Sequence, residues 1–298
     1  MDTKSLKLFI NLAETLHFGR ASELSHISVS ALSRNIAQLE EQLGVKLFER
    51  DNRSVSLTNA GQDFIRYARE ALNQWDAVRF NLQQKSLTLN GELSVYCSVT
   101  ASYSFLYEIL RKFRLHYPEI EIKLHTGDAE HALSKVLSGS EDIAMGAAPA
   151  QLASGLVFQP IATSPLLFIA PRHDQQLIDK ANCQHEEQLA ELWQNIPMIV
   201  SEQGVAREHT DRWFKGLGVK PKIYAQVAGN EAIVSMVSLG FGVGIVPEIV
   251  LHNSPLRDAV SVVRPPRTLE PYKVGLFTLV KKLKNPLVRA FWELRSNK

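Results

Sequence analysis

Phe18-Gly19-Arg20-Ala21-Ser22-Glu23-Leu24-Ser25-His26-Ile27-Ser28-Val29-Ser30-Ala31-Leu32-Ser33-Arg34-Asn35-Ile36 decides how the N-terminal end folds. Within it, Gly19–Leu24 read as a short helix. Ser28 then opens another, in which Leu32, Ile36, Leu39 and Leu43 recur at helical spacing and Gly44 supplies a left-handed stop. Upstream, Phe9, Leu12, Ala13 and Leu16 mark a preceding helix. Two helices, a tight turn and a third helix make a helix-turn-helix. Downstream, residues 45–58 hold two β-like runs about a polar Asp51-Asn52 tip, which is a small hairpin, or wing.

A helix laid in a DNA major groove needs small polar residues at its N-terminal end and a cation long enough to reach base edges. Ser28, Ser30, Ala31, Ser33 and Arg34 fit that need, and Arg50 and Arg53 flank the wing tip, where phosphates or the minor groove are within reach. The competing reading is a solvated helical bundle with scattered surface arginines. Charge does not decide between them, because residues 1–60 hold seven Lys and Arg against seven Asp and Glu.

From Thr58, an N-cap residue type, residues 59–86 read as one long helix with no Pro and no Gly after Gly61. Phe64, Tyr67, Ala68, Ala71, Leu72, Trp75, Val78, Phe80 and Leu82 lie broadly along one side of it. A small winged domain cannot bury so long a stripe. Self-pairing with a second copy is one outlet, and packing on the rest of the chain is the other.

Residues 91–298 alternate strand-like and helix-like runs, beginning with a strand at Gly91–Ser98, a helix from about Tyr103 to His116 and a strand at Ile120–His125. That order implies a largely parallel sheet, whose ligands sit at the C-terminal strand ends. The rule points to Ser98, Thr100, Ser102, Thr126 and Asp128, and in the second half to Ser201, Gln203, Gly204 and Asn230. Asp128 and Glu231 each begin a helix, where an acid caps the end or lines a ligand site. Two crossovers, near 162 and 266, divide the segment into lobe I (91–162 and 267–298) and lobe II (163–266). The expected organisation is a DNA-binding domain at 1–58, a dimerisation helix and linker at 59–90, and a two-lobe binding domain at 91–298.

The chain has 298 residues, a net charge of +2 and 45% hydrophobic residues, which exclude fibrous and disordered classes. Cys97 and Cys183 match no metal spacing and read as reduced thiols. The N-terminus has no signal-peptide pattern, and the uncharged run Ile143–Pro171 is broken by four prolines, so a cytoplasmic protein without a membrane partner is expected. Gly240-Phe241-Gly242-Val243-Gly244 follows a helix and enters a strand, the reverse of a dinucleotide fingerprint. No metal-ligand spacing and no nucleophile–base arrangement occurs, so no catalytic role and no metal or cofactor is expected. A solute-binding protein and an enzyme remain as rival classes; the winged N-terminus speaks against the first.

The motifs Phe18–Ser22, Leu32–Ile36, Leu39-Glu40, Leu47–Arg50, Leu57-Thr58 and Ala60-Gly61 resemble those of LysR-type transcriptional regulators, and the resemblance runs over the whole chain. Gly91–Ser94, Cys97–Ala101, Glu121–Ala129, Glu231–Val237, Gly244 and Pro247-Glu248 are similar to the branch of that family that activates expression of acetohydroxy acid isomeroreductase in branched-chain amino acid synthesis. The resemblance implies an effector domain of periplasmic-binding-protein type, a homo-oligomer that is a dimer of dimers on double-stranded operator DNA, and RNA polymerase as a partner. It also implies acetolactate or acetohydroxybutyrate as co-inducer. By position it carries effector contact to Thr100 and Asp128, with Ser98, Thr126 and the lobe II residues following. The alternative is a regulator of the same family serving another pathway and another small molecule.

Overall fold

The computed structural model describes residues 2–50, 54–83 and 89–294. Three helices, α1 (Thr3–Thr15), α2 (Phe18–Leu24) and α3 (Val29–Leu43), pack around Phe9, Leu12, Leu32, Ile36 and Leu39. Each begins on a side chain that accepts a first-turn N–H, from Asp2, His17 and Ser28. Strands β1 (Phe48–Arg50) and β2 (Val55–Leu57) pair antiparallel as the wing.

A buried carboxylate ties that wing to α3. Glu40 is 3% exposed, and its Oε1 accepts the N–H groups of Leu47 (3.0 Å) and Phe48 (3.2 Å). Its Oε2 receives Lys46 Nζ at 3.1 Å and Arg50 Nη2 at 3.4 Å. Burial works to raise the Glu40 pKa, but the two backbone donors and the two cations overcome it and hold the carboxyl below its ordinary value.

Helix α4 (Asn59–Gln83) starts where Thr58 Oγ1 accepts the Gly61 N–H at 2.9 Å. Gly61 is required here, because a Cβ would stand 2.2 Å from the Leu47 carbonyl oxygen. The apolar stripe splits along its length. Phe64 and Ala68 are buried in the N-terminal core, whereas Tyr67, Trp75 and Val78 are about half exposed, at 51%, 53% and 50%. The side chains of Phe80 and Leu82, the Asp51–Arg53 tip and residues 84–88 lie outside the described residues.

The rest of the chain forms two five-stranded mixed sheets. The first contains β3 (Gly91–Cys97), β4 (Ile120–Thr126), β5 (Ile143–Ala147), β6 (Leu156–Ser164) and β12 (Tyr272–Leu279), in the order β4-β3-β5-β12-β6. The second contains β7 (Leu166–Pro171), β8 (Pro197–Ser201), β9 (Lys222–Val227), β10 (Val243–Pro247) and β11 (Val260–Val263), in the order β11-β7-β10-β8-β9. Only Pro165 separates β6 from β7. The largely parallel order expected of these strands is present, with β3 parallel to β4 and β5 and β8 parallel to β9 and β10; the exceptions are β12, antiparallel to both of its neighbours, and β7, antiparallel to both of its own.

Helices cover these sheets: α5 (Val99–Ala101), α6 (Tyr107–His116) and α7 (Ala132–Leu137) in lobe I, then α8 (Gln175–Ala181), α9 (Glu186–Asn195), α10 (Val205–Leu217), α11 (Asn230–Ser238) and α12 (Glu248–Asn253) in lobe II, with α13 (Pro286–Glu293) back on lobe I. The first helix of lobe I begins four residues before its expected start at Tyr103. Ser98 caps Val99–Ala101, and a π turn at Ser102–Leu106 joins it to α6. The pattern from Cys183 to Trp193 predicts one helix; it begins at Glu186 as α9, and Cys183 lies in the connection from α8. The glycine-rich segment 240–244 forms the turn into β10 and its first residues. Cys97 is buried, and burial pushes its thiol pKa up to about 11.

Lobe I carries a buried ion pair. Lys282 Nζ reaches Asp142 Oδ1 at 2.6 Å, and Asp142 Oδ2 accepts the Ser94 N–H at 3.0 Å. The N-terminal domain rests on the same lobe. Arg69 of α4 donates to Glu14 Oε1 at 2.9 Å and across the boundary to the Ser138 carbonyl at 3.1 Å, and Lys281 Nζ reaches Glu70 Oε2 at 3.0 Å. Removing one member of a buried pair strands the other charge, so Lys282→Ala should destabilise lobe I by about 3 kcal/mol. Denaturant unfolding of the full chain checks this, with Lys281→Ala changing stability by less than about 1 kcal/mol.

Candidate nucleic-acid interface and ligand cleft

Ser28, Ser30 and Arg34 are exposed on the N-terminal half of α3, with Ala31 and Ser33 half-buried beside them. Ser28 Oγ accepts the Ala31 N–H at 3.2 Å and lies 3.0 Å from Ser30 Oγ, so the first-turn hydroxyls form one polar surface. Arg34 Nε donates back to the Ser30 carbonyl at 3.4 Å, leaving most of its guanidinium fork for an outside partner. Arg50 is differently placed. It pairs with Glu40 and lies over the Phe18 ring at 5.0 Å, so it belongs as much to the packing of the wing as to its surface. Arg53 lies outside the described residues. Glu40, toward the C-terminal end of α3, is buried and engaged by Lys46 and Arg50, so its charge is answered within the domain.

The lobes enclose a second site. A cavity of 170 Å³ between them is lined by Glu130, Leu133 and Pro149 from lobe I, Ser201, Gln203, Gly204 and Asn230 from lobe II, and Tyr272 from the returning strand. The lobes also touch directly. The Thr100 hydroxyl donates to Glu231 Oε1, Asn253 Nδ2 donates to Ser104 Oγ at 3.2 Å, and Gln203 Nε2 lies 3.5 Å from His131 Nε2. Gly229 (φ +80°) approaches lobe I so closely that a Cβ would stand 3.2 Å from Asp128 Oδ1.

The ligand residues read from the sequence therefore divide into three groups. Ser201, Gln203, Gly204 and Asn230 line the cavity, and Thr100 and Asp128 meet the opposite lobe. Ser98, Ser102 and Thr126 do neither. Ser98 Oγ is taken by the Ala101 N–H at 3.2 Å, Ser102 Oγ by its own Val99 carbonyl at 2.6 Å, and Thr126 is exposed at the end of β4. Neither acid at a helix start acts as a side-chain cap: Asp128 makes no capping hydrogen bond, and Glu231 crosses to Thr100. Glu130 and Tyr272 were not among the predicted residues; the closest signal was the acid two places after Asp128. Burial, with Asp128 and Glu202 nearby, raises the Glu130 pKa against an opposing His131; burial, with Glu231, raises that of Tyr272. A larger cavity, 450 Å³, between the N-terminal domain and lobe I meets none of the residues predicted for either site.

Residues 3–62 match the family described as bacterial regulatory helix-turn-helix protein, lysR family, and residues 87–296 match the LysR substrate binding domain. The chain belongs to the LysR family of transcriptional regulators. This LysR-type regulator is 41% identical over 305 residues to the HTH-type transcriptional activator IlvY of Salmonella typhimurium, with all of both chains covered. It is 40% identical over 300 residues to the HTH-type transcriptional regulator IlvY of Escherichia coli K12, covering 100% of this chain and 99% of that one. Its fold matches full-length OxyR from Pseudomonas aeruginosa with a TM-score of 0.69 at 22% identity, covering 99% and 94% of the chains. It matches full-length CbnR complexed with its target DNA with a TM-score of 0.64 at 23% identity, covering 99% and 98%. Like the rest of its family it is a DNA-binding regulator with a small-molecule domain, not an enzyme. Among the described residues no helix is long and apolar enough to cross a membrane, and no group of three or more His, Cys, Asp or Glu is placed to hold a metal ion.

Two outcomes test the N-terminal geometry. Arg34→Ala should cost about 1–3 kcal/mol on the preferred operator and flatten the preference among sequences, read by competition binding against single-base variants. Glu40→Ala should cost about 2–3 kcal/mol locally and expose the Leu47 and Phe48 amides to hydrogen exchange, while Glu41→Ala leaves them protected. Because the Glu40 pKa is lowered by folding, its stabilisation is fully present above the ordinary value of 4.5 and disappears as pH falls through the lowered one.

Proposed function

We propose that this regulator activates genes of branched-chain amino acid synthesis, acetohydroxy acid isomeroreductase among them, in response to acetolactate or acetohydroxybutyrate. The observation that carries this reading is identity of 39–41% over essentially the full length to four relatives named IlvY. The residues suit the role. The first turn of α3, with Ser28, Ser30, Ala31, Ser33 and Arg34, enters the major groove, while Arg50 and Arg53 hold the wing against the backbone. The interlobe cavity takes the acid, with Thr100, Asp128, Ser201, Gln203, Gly204 and Asn230 around it.

The half-exposed Tyr67, Trp75 and Val78 on α4 are the surface on which two copies pair, and two such dimers occupy one operator. Oligomerisation matters because the chain carries little excess positive charge: a single module gains little from phosphates, and linked modules multiply modest affinities. The protein works in the cytoplasm, where DNA and RNA polymerase meet it. Effector binding favours one arrangement of the oligomer by its differential affinity, altering the bend of the DNA and the contact with polymerase.

The test is footprinting of the full-length protein on DNA upstream of its own gene and of the isomeroreductase gene, with and without acetolactate. A protected operator whose footprint or bend angle changes with acetolactate is expected. Protection that is indifferent to saturating acetolactate and acetohydroxybutyrate would overturn the effector assignment.

A further inference from the structure

Glu231 stands in the first turn of α11 in lobe II, yet its carboxylate is held in lobe I. It accepts from the hydroxyl of Thr100, a residue only 3% exposed, in the first turn of the helical run 99–116. First-turn N–H groups have no acceptor within their own helix, and the helix dipole favours negative charge there. A buried hydroxyl on that end is a seat suited to a carboxylate. Tyr103 OH lies 3.5 Å from Thr100 Oγ1 on the same side.

Around the seat the charge is one-sided. The close approach at Gly229 puts Asp128 Oδ1 3.2 Å and Glu231 Oε2 3.8 Å from the same point, the site of an added Cβ. Glu130 lines the neighbouring cavity with Glu208, and among the described residues no Lys or Arg lines it. The nearby Arg207 is already engaged, by the Ser201 carbonyl at 3.0 Å and by Asp211. The place best suited to an incoming acid is one where a carboxylate is already held.

We propose that Glu231 is a specificity-determining residue whose carboxylate competes with the effector's carboxylate for the Thr100 seat. The inference rests on the small-molecule reading of the cleft given above. A 2-hydroxy carboxylate is the class that fits the exchange. Its carboxylate replaces Glu231 on Thr100 and the helix end, and its 2-hydroxyl donates to the displaced Glu231, so no acceptor is left unpaired. A plain carboxylate lacks that donor, and an uncharged ketone does not contest the seat.

Glu231→Gln keeps an acceptor for Thr100 and removes the competing charge. Calorimetric titration of the full-length protein with acetolactate and with 2-hydroxyisobutyrate should show about tenfold tighter binding to the variant than to the parent. Acetoin, the decarboxylated and uncharged counterpart, should show no change. Thr100→Val in the Glu231→Gln background should abolish the gain, because the seat itself is gone. Equal or weaker binding of both acids to Glu231→Gln overturns the proposal, and so does failure of both proteins to bind any 2-hydroxy carboxylate. A tenfold gain that is the same for both acids, with acetolactate no better than 2-hydroxyisobutyrate in either protein, supports the seat and overturns the pathway assignment instead. Glu231 is exposed, so an unchanged melting temperature is expected for Glu231→Gln and confirms that the comparison is between folded proteins.

Discussion

Strand β12 has to fill the slot between β5 and β6, and the shape of the binding domain follows from that one act of hydrogen bonding. Without it, β6 has no partner and β5 keeps an open edge, each a row of unpaired N–H and C=O groups. Filling the slot requires the chain, after five strands in lobe II, to come back. The return makes the second connection between the lobes, keeps them side by side, and brings Tyr272 to the wall of the cavity as the first residue of the strand.

The DNA-reading end is organised by a different economy of charge. Its cations and anions cancel in number, but they do not sit equivalently. Glu40 is withdrawn into the wing and answered by Lys46, Arg50 and two backbone N–H groups, while Arg34 keeps an exposed position beside the hydroxyls of Ser28 and Ser30. A zero sum is therefore compatible with a face that is locally positive. Recognition then depends on where a few groups stand rather than on bulk attraction.

Much of this was legible in the residues. Periodicity of 3.6 found α1 to α4, and the turn residues around Asp51-Asn52 found the wing, because both signals are local. The parallel part of each sheet followed from the alternation of strands and helices, but the reversed direction of β12 was not legible, since its pairing with β5 joins residues more than a hundred positions apart. The start of the helical run at Val99 was missed because its cap, Ser98, also reads as a loop residue at a strand end. In the cleft, Ser201, Gln203, Gly204 and Asn230 followed from a rule about strand ends, whereas Glu231 reads as a capping acid at its own helix and reveals its partner only when the lobes are face to face.

The contact between the N-terminal domain and lobe I has a consequence for how far a message must push. Across that boundary the ties include the Arg69 hydrogen bond to Ser138 and the exposed Lys281–Glu70 pair. Exposed ion pairs are worth about 0–1 kcal/mol each, and a tenfold shift between two states needs only about 1.4 kcal/mol. The docking that these ties provide is cheap to break and cheap to restore, so two domains that share a chain can trade postures at thermal cost. Raising the ionic strength weakens the Lys281–Glu70 pair by screening, which makes salt a second hand on the same dial.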